Sequence, residues 1–462
     1  MTNFGGLDVA YSGLAAHRRR MEVIGENIVN ASTPGYNRQR VNLSSVNRGA
    51  GGVHSGNSGA YGGVEATEVT RMRDAILSRH ARQEAGAAAV RTKRAEILRR
   101  VEEAMGGVEP GGLHDRMNAL WNSFDDLAAA PDDLAMRQIV LDRADSLAQG
   151  FTRTTGSVDQ LRQREIDDMK ATIDEVNSLT EQIAKLDSQI LGTIQSTNQP
   201  NSLLDERDTL VTELAQLIDL DVVELANGQV SATVDGQLVI GAGRSTPLEL
   251  RIIPDPDLGT LGYDKVAIVN PTGRELRVQE GELGASLETV MATIPEERRK
   301  LDTLIENVAT QVNTIHSAGA GLDGSTGRNL FQVGANPGQL FVSDDVLGQP
   351  QGVAAAVAGA GTLDVGTARA IAQLAETPDG PTAELADAIG TLASRVATAQ
   401  AGAEAAQTGA DQAAAMAQAA GGVSLDQELT DLIAAQRAFE ASAKMVSAID
   451  EVLNTLINTM MR

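Results

Sequence analysis

A chain of 462 residues with a formal charge of −24 has room for about two to four domains. It lacks the clustered Lys and Arg that grip a phosphate backbone or an anionic bilayer, so neither nucleic acid nor membrane insertion is expected. It holds no cysteine and only 2% aromatic residues, which excludes disulfides, thiol catalysis and thiolate metal sites and leaves Ala, Leu, Val and Ile to build the core.

The basic run at residues 18–20 is too short to alter this balance. No apolar run reaches the ~18 residues of a membrane span, and residues 1–20 lack the apolar stretch of a secretory signal. These features predict the cytoplasm, or export by a route that needs no cleaved signal.

The chain opens on a helical seam. Leu7, Leu14, Met21 and Ile28 recur every seventh residue, with Phe4, Tyr11 and Ile24 widening the stripe. Residues 25–39 follow as G-E-N-I-V-N-A-S-T-P-G-Y-N-R-Q. Thr33, Pro34, Gly35 and Tyr36 fit a type II turn, because Pro presets φ at the second position and Gly accepts positive φ at the third. Asn27 and Asn30 suit a helix end, where amide side chains bond free backbone groups.

Residues 41–69 are rich in Gly, Ser and Asn and read as irregular or weakly stranded. Helix resumes over 71–108 and again over 113–130, where Trp121 belongs to a packed helical corner. Pro131 suits the first turn of a further helix, expected to break near Gly150 or Gly156. From Ile166 a heptad continues through Met169, Ile173, Val176, Ile183, Ile190 and Ile194 as a coiled-coil-like rod. Residues 198–201 end that rod. A shorter helix follows, with Ser202 and Asp205 placed for a capping box.

From Asp221 the period becomes two. The dipeptides Asn227–Gly228 and Asp235–Gly236 separate short β-rich runs into a meander. Further strands are expected at 248–253, 265–269 and 275–279. Helix returns after Gly284 on Ile294, Leu301, Val308 and Ile315. Residues 319–350 read as loop, and an Ala-rich helix spans 385–420. The glycines 421 and 422 precede a final seam of about 54 Å, at 1.5 Å per residue. Leu425, Leu432, Phe439, Val446, Leu453 and Met460 carry it, with Leu429, Ala443 and Ile457 in the second heptad position.

The fold class is therefore mainly α with an inserted β domain: an elongated multidomain protein. Terminal coiled-coil-like helices (1–40 plus 421–462) and long rods (41–200 plus 284–420) flank a small β-rich insert (201–283). Each terminal seam is too narrow for a core of its own, and isolated helices are marginal in water. The two ends are expected to pair with each other, with copies of the chain, or both.

No catalytic constellation is present. The five histidines lie at no metal-ligand spacing, and no phosphate loop or nucleophile elbow occurs. Asp323 and the pair Asp255/Asp257 lack the rest of a calcium loop and read as turn residues. No cofactor and no metal are expected, and the chain reads as no enzyme.

Asn27, Ile28, Asn30, Thr33, Pro34, Gly35 and Tyr36 resemble the N-terminal signature of the axial proteins of the bacterial flagellum. Gly25 and Val29 stand where Ala is usual there, and Glu26 where Asn is usual. Further segments narrow the likeness to the family of flagellar hook-associated protein 1. These are Gly35, Tyr36, Arg38 and Gln39; N-x-L-L-D-x-R-D at 201–208; G-E-L-G at 281–284; and the closing helix over 423–439.

The resemblance implies a structural protein of the hook–filament junction, exported unfolded by the flagellar type III apparatus and assembled as a ring. Its implied partners are copies of itself, the flagellar hook protein, the second hook-associated junction protein, and a cytoplasmic flagellar export chaperone that binds the C-terminal helix. It implies an outer insert that is reduced or missing. The neighbouring alternatives are another axial protein, against which L-L-D-E-R-D speaks, and a flagellar peptidoglycan hydrolase.

Overall fold

A computed structural model describes residues 4–46, 62–106, 111–195 and 200–460. Helix α1 (Phe4–Val29) leads into a hairpin of β1 (Gln39–Val46) and β2 (Gly63–Arg71), then α2 (Ala75–Ala104), α3 (Leu113–Ala129) and α4 (Leu134–Gln195). Where only weak strands are expected, β1 and β2 thus form a regular antiparallel ladder, with Gln39 opposite Arg71 and a bulge at Asn42/Leu43; residues 47–61 of that stretch lie outside the described residues. Val41 and Val69 bury against Val23 of α1, which gives the hairpin its apolar face.

Helix α4 runs 62 residues without interruption, about 93 Å at 1.5 Å per residue. The expected break near Gly150 or Gly156 does not occur. A Cβ at Gly150 would lie 2.7 Å from Arg116 Cδ and 3.2 Å from Leu113 Cδ2, so this glycine admits the start of α3 rather than ending α4. Pro131 precedes the helix instead of starting it, and its carbonyl accepts from Arg137 Nε at 3.1 Å. The end of the rod expected at 198–201 lies partly outside the described residues.

Helix α5 (Asn201–Leu217) then leads to β3 (Asp221–Glu224), β4 (Val230–Val234), β5 (Gln237–Gly241) and β6 (Arg244–Ser245), which form one four-stranded meander. Its tight turns place Gly228, Asp235 and Gly236 at positive φ, as the dipeptides require. A second sheet pairs β7 (Glu249–Ile253), β8 (Lys265–Val269) and β9 (Glu275–Leu276), with the short α6 (Pro256–Gly259) between its first two strands. Asp255 caps that helix through Asp257 N and Leu258 N, so the D-P-D run is a turn device.

Helix α7 (Gly281–Glu288) passes through a π-turn at Thr289–Thr293 into α8 (Ile294–Ala318). The widened turn sits just ahead of Pro295, which has no N–H to continue the ladder and would crowd the preceding turn. Gly281 explains the G-E-L-G motif: its φ is +71°, and a Cβ there would lie 2.6 Å from the backbone at Leu217 and Ile218.

Small two-stranded pieces follow. β10 (Gly319–Ala320) pairs with β13 (Ala356–Val357), and β11 (Phe331–Val333) with β12 (Leu340–Val342). Asp323 accepts from Ser325 N and binds Arg328, a turn role. Then come α9 (Gly366–Ala372), α10 (Pro381–Gly421) and α11 (Leu425–Met460).

Two apolar cores are threaded on α4. Its first half packs with α2, α3, α8, α9 and α10 around Trp121, Phe124 and Phe151. The Trp121 indole N–H donates to Thr382 Oγ1 at 2.9 Å, which fixes it as a packed corner. The second half, Ile166 to Ile183, packs with α5 and both sheets. Beyond these cores α2 and α10 lie antiparallel through Ala88, Ala406 and Ala410, small residues that bring the two backbones close. This Ala-lined pair carries the chain toward α1 and α11, which lie against each other.

Candidate functional site

The terminal helices are antiparallel in strict heptad register. A Cβ at Gly6 would meet Ile449 Cδ1 at 3.5 Å, and one at Gly13 would meet Ser442 Oγ at 3.2 Å. Asn27 bonds Glu428 at 3.0 Å, seven-residue steps from those pairs. The contact row on α1 is thus Gly6, Gly13, Arg20 and Asn27, and on α11 Glu428, Ala435, Ser442 and Ile449. These rows are mostly small or polar.

The apolar heptads read from the sequence form the adjacent rows. Leu7, Leu14, Met21 and Ile28 each follow a contact residue by one, 100° round the helix. Ser12, one residue before Gly13, turns the other way and touches the hairpin at Val64 N, 3.2 Å. The stripe therefore points away from the hairpin. Its four residues are half-buried, as are Leu432, Phe439, Val446 and Leu453 on α11. Leu425 and Leu429 are each 50% exposed, Ile457 54% and Tyr11 64%. The side chain of Met460 lies outside the described ones.

At the hairpin end of this pair the N-terminal motif closes a polar knot. Helix α1 stops where Asn30 Nδ2 bonds Glu26 O at 3.0 Å and its Oδ1 accepts from Thr33. The turn forms as expected: Tyr36 N donates to Thr33 O at 3.2 Å, and Gly35 has φ +77°. A Cβ at Gly35 would also overlap the Thr209 hydroxyl. Thr33 and Pro34 themselves are exposed.

Asn27 sits 1% exposed beneath the turn. Its Nδ2 donates to Gln39 O at 2.9 Å and Glu428 Oε2 at 3.0 Å, and its Oδ1 accepts from Tyr36 Oη and Gln39 N, both at 2.9 Å. Two donors and two acceptors are the full capacity of the amide. Burial, with the Glu26 carboxylate nearby, pushes the Tyr36 phenol up to about 12, so it stays a donor.

Arg38 completes the knot. Its Nε donates to Glu428 Oε1 and its Nη2 to Asp431 Oδ2 at 3.1 Å, while Arg20 Nη2 reaches Asp431 Oδ1 at 2.9 Å. The Arg38 N–H donates to Gly421 O at 2.8 Å, and its carbonyl accepts from Met72 N at 2.7 Å. One residue thereby ties the end of α10, the end of β2 and the first turns of α11.

The second sequence motif meets the first here. Asp205 accepts from Asn37 Nδ2 at 2.7 Å, from Asn37 N at 3.2 Å, and from Arg71 Nη1 at 2.8 Å. Asp208 binds Arg71 at 3.1 Å and Arg73 at 3.0 Å. Asn201 Nδ2 donates to Gln39 Oε1 at 3.0 Å and Val69 O at 2.9 Å. The expected capping box is not formed. Helix α5 already begins at Asn201, which puts Ser202 inside it and turns Asp205 to the hairpin. N-x-L-L-D-x-R-D and T-P-G-Y-N-R-Q are two sides of one joint.

Sequence reasoning missed Glu428 and Asp431. Both are acids in the opening turns of a helix, a common solvated pattern, and their partners lie some 390 positions away.

The likenesses fall on these same regions. The family model of the flagellar hook-associated protein FlgK helical domain matches residues 98–331, just over half the chain. That of the flagella basal body rod protein matches residues 7–37, which is α1 and its turn. That of the flagellar basal body rod FlgEFG protein C-terminal matches residues 417–459, the end of α10 and nearly all of α11.

Flagellar hook-associated protein 1 of Bacillus subtilis is 25% identical over 99% of both chains. That of Escherichia coli is 29% identical over 70% of this chain and 59% of its own length. The solved hook junction protein FlgK of Burkholderia pseudomallei is 25% identical, with a TM-score of 0.49 over 55% of this chain and 46% of that one. With its helical middle and both terminal segments accounted for, the chain belongs to the family of the flagellar hook-associated protein FlgK, structural proteins of the bacterial flagellum at the junction of hook and filament.

Proposed function

We propose that this chain is a non-catalytic ring subunit of that junction, and that the terminal pair is its assembly element. One observation carries the reading: the heptad stripes Leu7, Leu14, Met21, Ile28 and Leu432, Phe439, Val446, Leu453 stay half-buried beside the α1–α11 contact row. With Tyr11, Leu425, Leu429 and Ile457 they give the pair an apolar flank that, among the described residues, no other element fills. Packing such a stripe against neighbouring copies buries it at no cost in internal contacts.

In this reading the motif Asn27, Asn30, Thr33, Pro34, Gly35, Tyr36, Arg38 and Gln39 sets the angle between the assembly element and the body. The terminal pair, the long-helix rod and the β-rich insert are three working parts. The partners are copies of the chain on either side, the hook protein below and the second junction protein above. A cytoplasmic export chaperone holds α11 before type III export. The absence of cysteine suits passage through a narrow channel in the unfolded state.

The test is complementation of a strain lacking its own junction protein. Changing Leu432, Phe439 and Val446 to Asp places carboxylates where the flank is to be buried, a costly change. Truncation after Gly422 removes α11 entirely. Both should leave the body folded by circular dichroism and abolish filament retention in electron micrographs. Normal filaments in either strain would sink the proposal.

A further inference from the structure

We infer that Arg162 is a clasp. It fastens an arm of the sheet-bearing second core into the first, helical core, so that the sheets open together with the helices and not by themselves. The clasp belongs to the body of the chain and stands apart from the ring reading.

The arm is the loop around α6. The two sheets pack with α4 and α5 in a core that holds Ile183, Val239 and Ile268. Leu258, Leu261 and Tyr263 leave that core and bury in the other one, with Phe151 and Leu301. One loop between β7 and β8 therefore plugs the sheets into the helices.

Arg162 stands where the cores meet. Along α4 the first core ends at Leu161 and the second begins at Ile166. The side chain is 7% exposed. Its Nη2 donates to Asp264 O at 2.5 Å, and its guanidinium lies 4.3 Å from the centre of the Tyr263 ring. A cation on an aromatic face is attracted most strongly when water is excluded.

Its third contact follows from Pro295. In the π-turn Ile294 N donates to Thr289 O, five residues back. The next donor in that register would be residue 295, and proline has no N–H. Arg162 Nε takes its place and donates to Val290 O at 3.3 Å. A buried carbonyl left without a donor is costly, so one guanidinium serves the turn into α8 and the arm at once.

A second hold lies one turn earlier on α4. Asp159 accepts from Tyr263 Oη and from Arg298 Nε of α8, the latter at 3.2 Å. Arg298 also donates to Pro337 O, in the turn between β11 and β12, at 2.9 Å. The arm is thus gripped from both α4 and α8.

A chain without cysteine permits a test with single thiols. Ala232 lies in the sheet-bearing core and Ala144 in the helical one, both fully buried. Ala232→Cys or Ala144→Cys in the full chain supplies one buried thiol. Its labelling by iodoacetamide, read by mass spectrometry, measures the opening of its own core.

Adding Arg162→Met keeps a long apolar stem and removes the donors. Labelling at Ala232→Cys should then rise about tenfold or more, and at Ala144→Cys less than about twofold. Tyr263→Phe keeps the ring on Arg162 and removes only the hydroxyl bonded to Asp159. It should raise labelling at Ala232→Cys by about threefold, with Ala144→Cys unchanged. Fluorescence of Trp121, the sole tryptophan, shows which variants are folded.

No acceleration at Ala232→Cys in a folded Arg162→Met or Tyr263→Phe chain would overturn the inference. Equal acceleration at Ala144→Cys would do so as well, since Arg162 would then support the whole body rather than the arm.

Discussion

Replacing Asn27 by Ala removes four hydrogen bonds from a buried site: those to Gln39 O and Glu428 Oε2, and those from Tyr36 Oη and Gln39 N. Each group left behind would forfeit roughly 1 kcal/mol or more if it stayed dry. Two circumstances reduce the total. Glu428 keeps Arg38, and Gln39 and Glu428 line a groove of about 680 Å³ through which water can reach the site. A net loss of about 3 kcal/mol is therefore expected, close to a 150-fold rise in local opening.

Native-state hydrogen exchange is the assay, because it reads local opening without melting the body. Amides of α1 near Ile24 and of the first turns of α11 should lose protection by that amount. Amides of α4 around Phe151 should be unaffected. A change below about 1 kcal/mol at α1, or a uniform loss that includes Phe151, would refute the assignment of Asn27 as the centre of the joint.

Three further outcomes can be checked. Gly35→Ala forces positive φ on a residue with a Cβ and presses on Thr209, so it should loosen the same amides by roughly 2 kcal/mol, read by the same exchange experiment. His316 is enclosed in the body between Arg328 O at 2.8 Å and Ala354 N at 3.0 Å, and burial lowers its pKa from 6.5 to about 4. Its contribution is complete above pH 6.5 and lost as pH falls toward 4. By urea unfolding the fold should thus be roughly 2–3 kcal/mol less stable at pH 4.5 than at pH 7.5 on this account, and His316→Gln should flatten that part of the profile. Gly281→Ala should destabilise the body more than Gly35→Ala, since its Cβ would meet backbone rather than a side chain, as thermal melts would show.

What the sequence made legible follows from locality. Asn227–Gly228 and Asp235–Gly236 announce their turns because φ > 0 is a demand on the residue itself. The long heptads of α4, α8 and α11 are visible for the same reason. Gly150 misled because a glycine admitting a neighbour and a glycine ending a helix look alike until Arg116 is in view. Asp205 misled because a capping box is a local pattern that the remote Asn37 and Arg71 outcompete. The contact row of the terminal pair escaped notice since all of it but Ile449 is small or polar, whereas periodicity analysis looks for large apolar residues. The flanking stripe it did find is half-buried beside that row.

Helix α4 has a mechanical consequence. Both cores are strung on one unbroken beam, so neither can swivel without the other. Torque entering near Phe151 leaves near Ile183 through a single covalent shaft, with no loop between to absorb it. A proline inserted halfway, near Glu165, would turn that shaft into a universal joint.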